Sequence, residues 1–531
     1  MRAGADPTPA GGAARGWPRE VVALAALGIG LLALYLATFN HDFTVDGLRY
    51  ATQVEQGGPL FHPNHLLPNA LFWLVWRAAQ AVGAEGVRAA WVAQGVNVVA
   101  GVGTALGLCR ALAARVGLPA ACALALLYAA GFAAWTFAEE PEVYVLPACA
   151  AAWSLALLWR APRVGPGRLA AVAALAVFAV LCLQQYVFWF PVLLALLARQ
   201  DLGPARRVKW WAVALGVPSA CLAAYVLLGL REGQLADLPH TLGWFLGYAW
   251  DGQHGLATYR AAPAPGARLA GLLLGLGNLA FAYEVVLSVP ALAAAVLAGA
   301  GLLVLAGRAA RAWRGAAPYH RDARLIAAWM SANLLFAFWW ESRDIEFLLP
   351  VWLGGIVLVG LARAPWQGLL PLALLLGGIN LACAFAPQRD WPWRYRTALA
   401  LADAVPLRAG DVLITDELNT VAWLEYFRHR PVRFLPGAVS AAMHADQSVA
   451  AARGNLEQAL AAGARVYTTE LDEHGRLYRI SRWFGLLGRK RYDGAIERDL
   501  GEFYAGLRLQ PGPVPGVREV LPPLPLPPPE S

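Results

Sequence analysis

Two aspartates, Asp42 and Asp46, stand four positions apart directly after the first long apolar segment of the chain. A single helical turn would place both carboxylates on the same face. A carboxylate pair of this kind suits a general base that deprotonates a hydroxyl, a ligand set for a divalent cation, or both roles. Asp46 is our first choice for the base and Asp42 is the second.

A second acidic cluster occupies a very short turn between two apolar segments. It contains Glu139, Glu140 and Glu142, and Tyr144 follows it. Repulsion among close carboxylates favours a bound cation, a water network or a positively charged partner. We therefore expect Glu139, Glu142 and Tyr144 to orient an acceptor or a cation, with Asp46 and Glu142 as candidate metal ligands. The alternative is an ordinary solvated loop.

Histidines and arginines complete the polar groups of these segments. His62 and His65 are three positions apart and flank a Pro-Asn pair. They can orient an acceptor or bind zinc, but no HExxH motif or cysteine accompanies them, and hydrogen bonding within a folded loop is their commoner role. Arg49, Arg260 and Arg343 are candidates for binding a donor phosphate. Each of these arginines also suits an ion-paired surface position.

The composition shows what kind of protein positions these residues. The chain has 531 residues, of which 58% are hydrophobic and 15% are charged, and the mean hydropathy is +0.48. Soluble globular proteins are about one quarter charged, so the composition excludes a soluble enzyme and a disordered chain. It predicts an α-helical polytopic membrane protein. All six cysteines lie in apolar runs without a C-x-x-C pair, which argues against a disulfide framework.

The charge density divides the chain. Residues 388–531 carry 35 of the 78 charged residues, so a soluble domain follows a membrane body. The proline-rich end is typical of an extended tail. The predicted parts are a cytoplasmic segment 1–20, a transmembrane domain 21–387 with a first outer loop 40–87, an outer α/β domain 388–510 and a tail 511–531.

Hydropathy predicts about 11 membrane spans, in a range of 10 to 13, beginning with an uncleaved first span over residues 21–39. The segments assigned to the cytoplasm hold 18 of the 25 basic residues before position 388, as the positive-inside rule requires. The N-terminus is then cytoplasmic and the C-terminal domain lies outside. All three acidic clusters, of which the third spans residues 340–347, fall on the outer side. Residues 66–83 are expected to form a helix at the outer surface.

Strand-like segments alternate with helical segments after residue 388. This order predicts a small α/β domain with a mostly parallel sheet. Asp416, Glu417 and Asn419 follow the first strand, where open α/β sheets tend to bind ligands. The predicted strands are 412–415, 432–435 and 464–469, and the predicted helices lie near 394–407, 418–428 and 446–462.

Several of these motifs resemble those of the GT-C glycosyltransferases, and most closely those of bacterial membrane proteins similar to protein O-mannosyltransferases. The resemblance rests on Asp46-Gly47 in the first outer loop, on His62-Pro63 after it, and on Glu142-Val143-Tyr144 before the fourth predicted span. It extends well over residues 20–160 and loosely over the rest. The pair Asn64-His65 departs from the pattern, in which Pro-Gly follows His-Pro.

The resemblance implies a GT-C-like fold and transfer of a sugar, as in mannosyltransferases, at the outer face of a bacterial inner membrane. The donor would be a polyprenyl-phosphate sugar, and the acceptor a hydroxyl of a glycan, lipid or protein. Because the donor already has a good leaving group, such an enzyme needs mainly a carboxylate that takes the acceptor proton. Positive charge from a divalent cation (Mg²⁺ or Mn²⁺) or an arginine would stabilise the departing phosphate. The carrier tail needs a groove among the spans, in contact with membrane lipids.

Two other functions remain open. A transporter or flippase of a lipid-linked or polar solute would place charges within the membrane, and Glu284 is such a residue. An O-antigen-type polymerase or ligase would use a large outer loop, for which residues 231–267 are the candidate. No P-loop or G-x-S-x-G motif is present, so ATP-driven transport and serine hydrolysis have no support. We expect no nucleic acid partner, because the basic residues follow the topology.

Overall fold

The structure is a computed structural model, and it describes most of the chain. The described residues are 17–41, 43–160, 163–246, 265–282, 285, 288–314, 320–342, 344–389, 396–415, 418–430, 432–436, 449–469, 471 and 501–522. The chain forms two compact units, which we call the membrane unit (Met1–Asn40 and Gln53–Arg389) and the soluble unit (His41–Thr52 and Asp390–Ser531). Part of the first outer loop therefore groups with the C-terminal domain, which the sequence did not predict.

Up to residue 389, the secondary-structure elements of the described residues are helices. A 3-10 turn, Gln184–Phe188, precedes α9, and a π-helical turn, Leu381–Phe385, joins the last two helices. The helices are α1 (Trp17–Ala37), α2 (Val45–Gln56), α3 (Pro68–Ala81), α4 (Ala89–Val116), α5 (Leu118–Ala130), α6 (Phe132–Glu139), α7 (Val145–Trp159), α8 (Pro166–Cys182), α9 (Trp189–Leu197), α10 (Arg206–Arg231), α11 (Leu238–Leu246), α12 (Pro265–Ala280), α13 (Val289–Arg314), α14 (His320–Trp340), α15 (Leu349–Leu361), α16 (Trp366–Asn380) and α17 (Ala386–Arg389).

The lengths and apolar composition of these helices identify a multi-pass membrane protein. Within the described residues, five helical segments are long and apolar enough to cross a bilayer, and α5 with α6 adds a sixth if the bent pair is one span. Several shorter apolar helices accompany them. The count of about 11 spans stays a prediction. The five segments are Arg19–Ala37, Ala89–Val116, Arg206–Arg231, Val289–Ala310 and Trp366–Arg389.

Gly131 lies between α5 and α6, whose axes are bent by 69°. A Cβ atom at Gly131 would lie 2.6 Å from Nε1 of Trp352, so only glycine permits this close approach. The same indole Nε1 donates a hydrogen bond of 3.0 Å to the carbonyl oxygen of Tyr128. The bend fixes the direction of α6, the helix that carries the first residue of the acidic turn.

Residues predicted to be cytoplasmic meet at one end of the membrane unit. Asp322, which is buried, pairs with Arg115 at 3.3 Å and with Arg199 at 2.5 Å. Glu20 forms an ion pair with Arg160. These contacts group segments that the charge pattern assigned to one side. The assignment of that side to the cytoplasm stays a prediction.

The soluble unit contains a small sheet whose strand order is β2-β1-β3-β5-β4 in its described part. The first strand pairs in parallel with β2 and β3, whereas β5 is antiparallel to β3 and β4. The strand β5 lies inside the segment that the sequence predicted as an extended tail. The elements are α18 (Arg396–Ala404), β1 (Val412–Thr415), α19 (Leu418–Arg428), β2 (Arg433–Pro436), α20 (Val449–Ala461), β3 (Val466–Thr468), β4 (Arg508–Pro511) and β5 (Arg518–Leu521).

Helices cover both faces of this sheet because successive side chains of a strand point to opposite faces. Val412 and Ile414 belong to one core cluster, in which Leu456 of α20 is buried. Leu413 belongs to a second cluster with Leu424 of α19. The sheet therefore holds α19 in a defined position.

Candidate functional site

The acidic turn of the membrane unit is enclosed by neighbouring helices. Glu139 ends α6 and is fully buried. Its Oε1 atom accepts hydrogen bonds from Oγ1 of Thr38 at 2.5 Å and from Nε1 of Trp135 at 2.7 Å. Its Oε2 atom has no hydrogen-bond partner in the described part of the chain. Glu139 thus ties the end of α1 to α6.

Amide side chains hold the rest of the turn. Nδ2 of Asn40 donates to Oε1 of Glu140 at 2.6 Å, and both residues are buried. Nε2 of Gln94 donates to the carbonyl oxygen of Asn40 at 2.8 Å. Nδ2 of Asn97 donates to the carbonyl oxygens of Glu140 and Glu142 at 2.7 and 2.5 Å. The sequence analysis did not single out Asn40, Gln94 or Asn97. The spacing of Gln94 and Asn97 on an apolar helix was the available signal.

The end of the acidic turn contacts the third acidic cluster. Glu142 is 1% exposed, and the hydroxyl of Tyr144 donates to Oε2 of Glu346. The ring of Tyr144 lies 5.0 Å from Phe137 and 6.3 Å from Phe347, centroid to centroid. The structure therefore brings two of the three predicted outer clusters into contact.

The two histidines form a compact turn on the membrane unit. Their rings stack with centroids 4.4 Å apart, and the backbone N–H of His65 donates to the carbonyl oxygen of His62 at 3.0 Å. The hydroxyl of Tyr225 donates to the carbonyl oxygen of Pro63 at 2.8 Å, and Asn64 accepts from the N–H of Gln184. Burial, together with the nearby charge of His62, holds the pKa of His65 well below its ordinary value of 6.5. His65 is therefore neutral at pH 7.

Asp46 lies in the soluble unit, in the first turn of α2. Nη1 of Arg49 lies 3.4 Å from Oδ1 of Asp46, and both side chains are more than half exposed. An exposed pair of this kind contributes about 0–1 kcal/mol. Thr44 precedes the helix, and its Oγ1 accepts the N–H of Gly47 at 3.1 Å, as a helix N-cap does. Asp46 therefore stands on a capped helix with its carboxylate open to solvent.

Several predicted residues fall outside the described part of the chain. They are Asp42, Arg260 and Arg343 among the candidate site residues, Glu284 of the transporter hypothesis, and Asp416 and Glu417 after β1.

The candidate cation site was tested against the donor groups that are present. Among the described residues, no group of three or more His, Cys, Asp or Glu side chains is placed to hold a metal ion. Asp46 is paired with Arg49, and Asp46 and Glu142 belong to different units. A divalent cation stays a prediction, and no step of the chemistry below depends on it.

The membrane unit also contains an apolar groove of about 690 Å³. It lies among α5, α12, α13, α14 and α15, and Leu, Ala, Gly, Val and Ile line most of it. This volume is in the range of small-molecule sites. One lining residue, Ala280, accepts a hydrogen bond of 2.7 Å from Nδ2 of the buried Asn380. Phe385, five positions after Asn380, stacks on Trp135 with ring centroids 4.3 Å apart.

Comparison with solved structures shows the fold. The chain is similar to ArnT from Cupriavidus metallidurans in the apo state (TM-score 0.53) and bound to undecaprenyl phosphate (TM-score 0.54). In both cases 14% of residues are identical, over 96% of this chain and 98% of ArnT. AglB from Archaeoglobus fulgidus, in complex with an inhibitory peptide and a dolichol-phosphate, has a TM-score of 0.44 with 11% identity over 85% of this chain and 69% of AglB. That likeness is too weak to support an argument. No protein-family model and no curated protein sequence matches the chain.

Proposed function

We propose that the chain is a membrane glycosyltransferase that uses a polyprenyl-phosphate sugar as its donor. The observation that carries the proposal is the apolar groove, because it lies in a fold shared with a protein that was crystallised with undecaprenyl phosphate. A polyprenyl tail is already in an apolar medium in the bilayer, so such a groove holds it by van der Waals packing against aliphatic side chains. A groove lined by aliphatic side chains suits such a tail and offers little to a polar solute.

The proposed reaction needs few groups from the protein. The oxygen of an acceptor hydroxyl attacks the anomeric carbon of the sugar, and the bond from that carbon to the phosphate oxygen breaks. The acceptor proton passes to the carboxylate of Asp46, and polyprenyl phosphate leaves. Asp46 suits this role because its side chain is exposed and held on a capped helix.

Arg49 is the described arginine that we propose for the donor phosphate. Its ion pair with Asp46 is exposed, so exchanging the carboxylate for a phosphate costs little. A phosphate accepts paired hydrogen bonds from a guanidinium group. Glu142 and Tyr144 are proposed to orient the acceptor, since they lie at the junction of two outer acidic clusters.

Filling the groove tests the proposal. Gly277 lines the groove, and a Cβ atom added there meets no heavy atom within 4 Å. Gly277→Leu should therefore fold, because leucine is also the better helix former, while its side chain occupies the space of the lipid tail. Gly30→Leu on α1 is the matched control, since Gly30 also has open space and lies outside the groove.

Two readouts should agree. We expect Gly277→Leu to retain less undecaprenyl phosphate in native mass spectrometry, and to raise the KM for the donor about tenfold, which corresponds to about 1.4 kcal/mol. Gly30→Leu should behave like the wild type in both. Wild-type lipid retention and wild-type KM in Gly277→Leu would contradict the proposed carrier site.

A further inference from the structure

The soluble unit contacts the very start of the helix that carries Asp46. The backbone N–H of Val45, the first residue of α2, donates a hydrogen bond of 3.1 Å to Oδ1 of Asn419. Asn419 lies in the first turn of α19, immediately beyond β1. The two residues are 374 positions apart in the chain. The contact is therefore tertiary, within the soluble unit.

This bond satisfies a donor that a helix cannot satisfy by itself. The first N–H groups of an α-helix have no partner within the helix. In α2, Thr44 accepts the N–H of Gly47, and Asn419 accepts the N–H of Val45. The backbone of Asp46 lies between these two fixed amide groups. The direction of its carboxylate then depends on an acceptor supplied by α19.

Aromatic packing also holds the segment that leads into α2. Phe43 is fully buried, and its ring stacks on Phe427 of α19 with centroids 5.8 Å apart and planes 20° apart. Phe427 packs in turn on Trp423, which is also fully buried, at 4.7 Å. Phe43 therefore anchors the approach to α2, while Asn419 fixes its first amide group.

We infer that Asn419 is a positioning residue for the proposed general base, and that the C-terminal domain takes part in catalysis through it. The inference rests on the proposed function. From its place after β1, Asn419 was expected only to bind a ligand, whereas here it positions Asp46. A shift of about 1 Å in a catalytic group lowers a rate about 100-fold, so loss of this bond should act on kcat.

Three variants separate positioning from folding. Asn419→Leu removes the acceptor at similar size, whereas Asn419→Asp keeps an oxygen at the same position. Asn455→Leu is the matched control, because Asn455 is an exposed asparagine on α20 in the same unit. We expect Asn419→Leu to lower kcat about 10- to 100-fold, with a smaller effect on the KM for the donor, because Arg49 lies further from the bonded amide group than Asp46. Asn419→Asp should recover most of kcat, and Asn455→Leu should keep wild-type kinetics.

Hydrogen exchange supplies a readout that does not depend on activity. In Asn419→Leu, amide exchange over residues 45–48 should become faster, while exchange in β1 stays as in the wild type. Unchanged exchange over 45–48, or a kcat within twofold of the wild type, would overturn the inference. If the wild type transfers no sugar but Asn419→Leu accelerates exchange at 45–48, the proposed function fails and the structural contact stands.

Discussion

Asn40 donates a hydrogen bond of 2.6 Å from Nδ2 to Oε1 of Glu140, 100 positions further along the chain. The bond joins the residue that opens the first outer loop to the acidic turn after α6. Both side chains are almost completely buried. The bond therefore lies within the membrane unit and holds the acidic turn against the segment that follows α1.

Removing this amide should destabilise the membrane unit. Asn40→Ala takes a donor from a buried carboxylate, so we expect the free energy of unfolding to fall by about 1.5–3 kcal/mol. Thermal unfolding in detergent measures the change. Gln56→Ala is the control, because Gln56 is exposed at the end of α2. Equal stability of the two variants would show that the bond contributes nothing.

Variants of Glu139 test which of its two carboxyl oxygens contributes to the stability of the folded protein. Its Oε1 atom accepts from Thr38 and Trp135, and glutamine retains that oxygen. We expect Glu139→Gln to unfold close to the wild-type temperature, because the glutamine oxygen can accept both hydrogen bonds. Glu139→Ala should lose about 1–3 kcal/mol, since it removes the closer acceptor of the buried indole N–H of Trp135 and leaves only the longer contact of 3.3 Å to Oγ1 of Thr38. A Gln variant as unstable as the Ala variant would contradict this assignment.

The contact between Tyr144 and Glu346 predicts a coupled pair. Tyr144→Phe keeps the ring against Phe137 and Phe347 but removes the hydroxyl donor. We expect a loss of about 1.5–3 kcal/mol in stability and a higher KM for the acceptor. A double-mutant cycle with Glu346→Gln should be clearly non-additive. Additive effects would mean that the two residues act independently.

The histidine turn predicts a dependence of stability on pH. Burial lowers the pKa of His65 in the folded protein below 6.5, so the unfolded chain binds the proton first as the pH falls. His65 therefore makes its full contribution to the free energy of unfolding above about pH 6.5. Below that pH, the free energy of unfolding falls by up to about 1.4 kcal/mol per pH unit. Unfolding temperatures between pH 7.5 and 5.5 should show a decline that His65→Gln flattens. A profile in His65→Gln as steep as that of the wild type would contradict this assignment.

The sequence predicted the parts of the structure that depend on local pattern. The apolar run Val412–Thr415 marked β1, with its parallel neighbours on both sides, and the rise in charge density near residue 388 lies close to the point where the chain enters the soluble unit. The strand Arg518–Leu521 was missed because proline dominates its surroundings. Its strand character comes from antiparallel pairing with β3 and β4, which no local pattern reveals.

Long-range contacts explain what the sequence left open at the site. The sequence marked Glu139 and Glu142 as one acidic cluster, but it did not reveal their contacts with Thr38, which follows α1, and with Asn97 on α4. The grouping of residues 41–52 with the soluble unit depends on Asn419, far along the chain. Side chains at such separations leave no periodic signal in one sequence.

The central claim is tested most directly by sugar transfer from labelled polyprenyl-phosphate sugars, with the protein reconstituted in liposomes and a membrane extract as the source of acceptors. The wild type and Asp46→Asn are compared with and without EDTA, and unfolding temperatures confirm that both are folded. We predict transfer by the wild type and a rate at least about 100-fold lower in Asp46→Asn. Loss of wild-type transfer in EDTA alone would add a divalent cation to the site. A folded wild type that transfers no sugar from any donor, while the label crosses the bilayer, would contradict the account and favour a transporter.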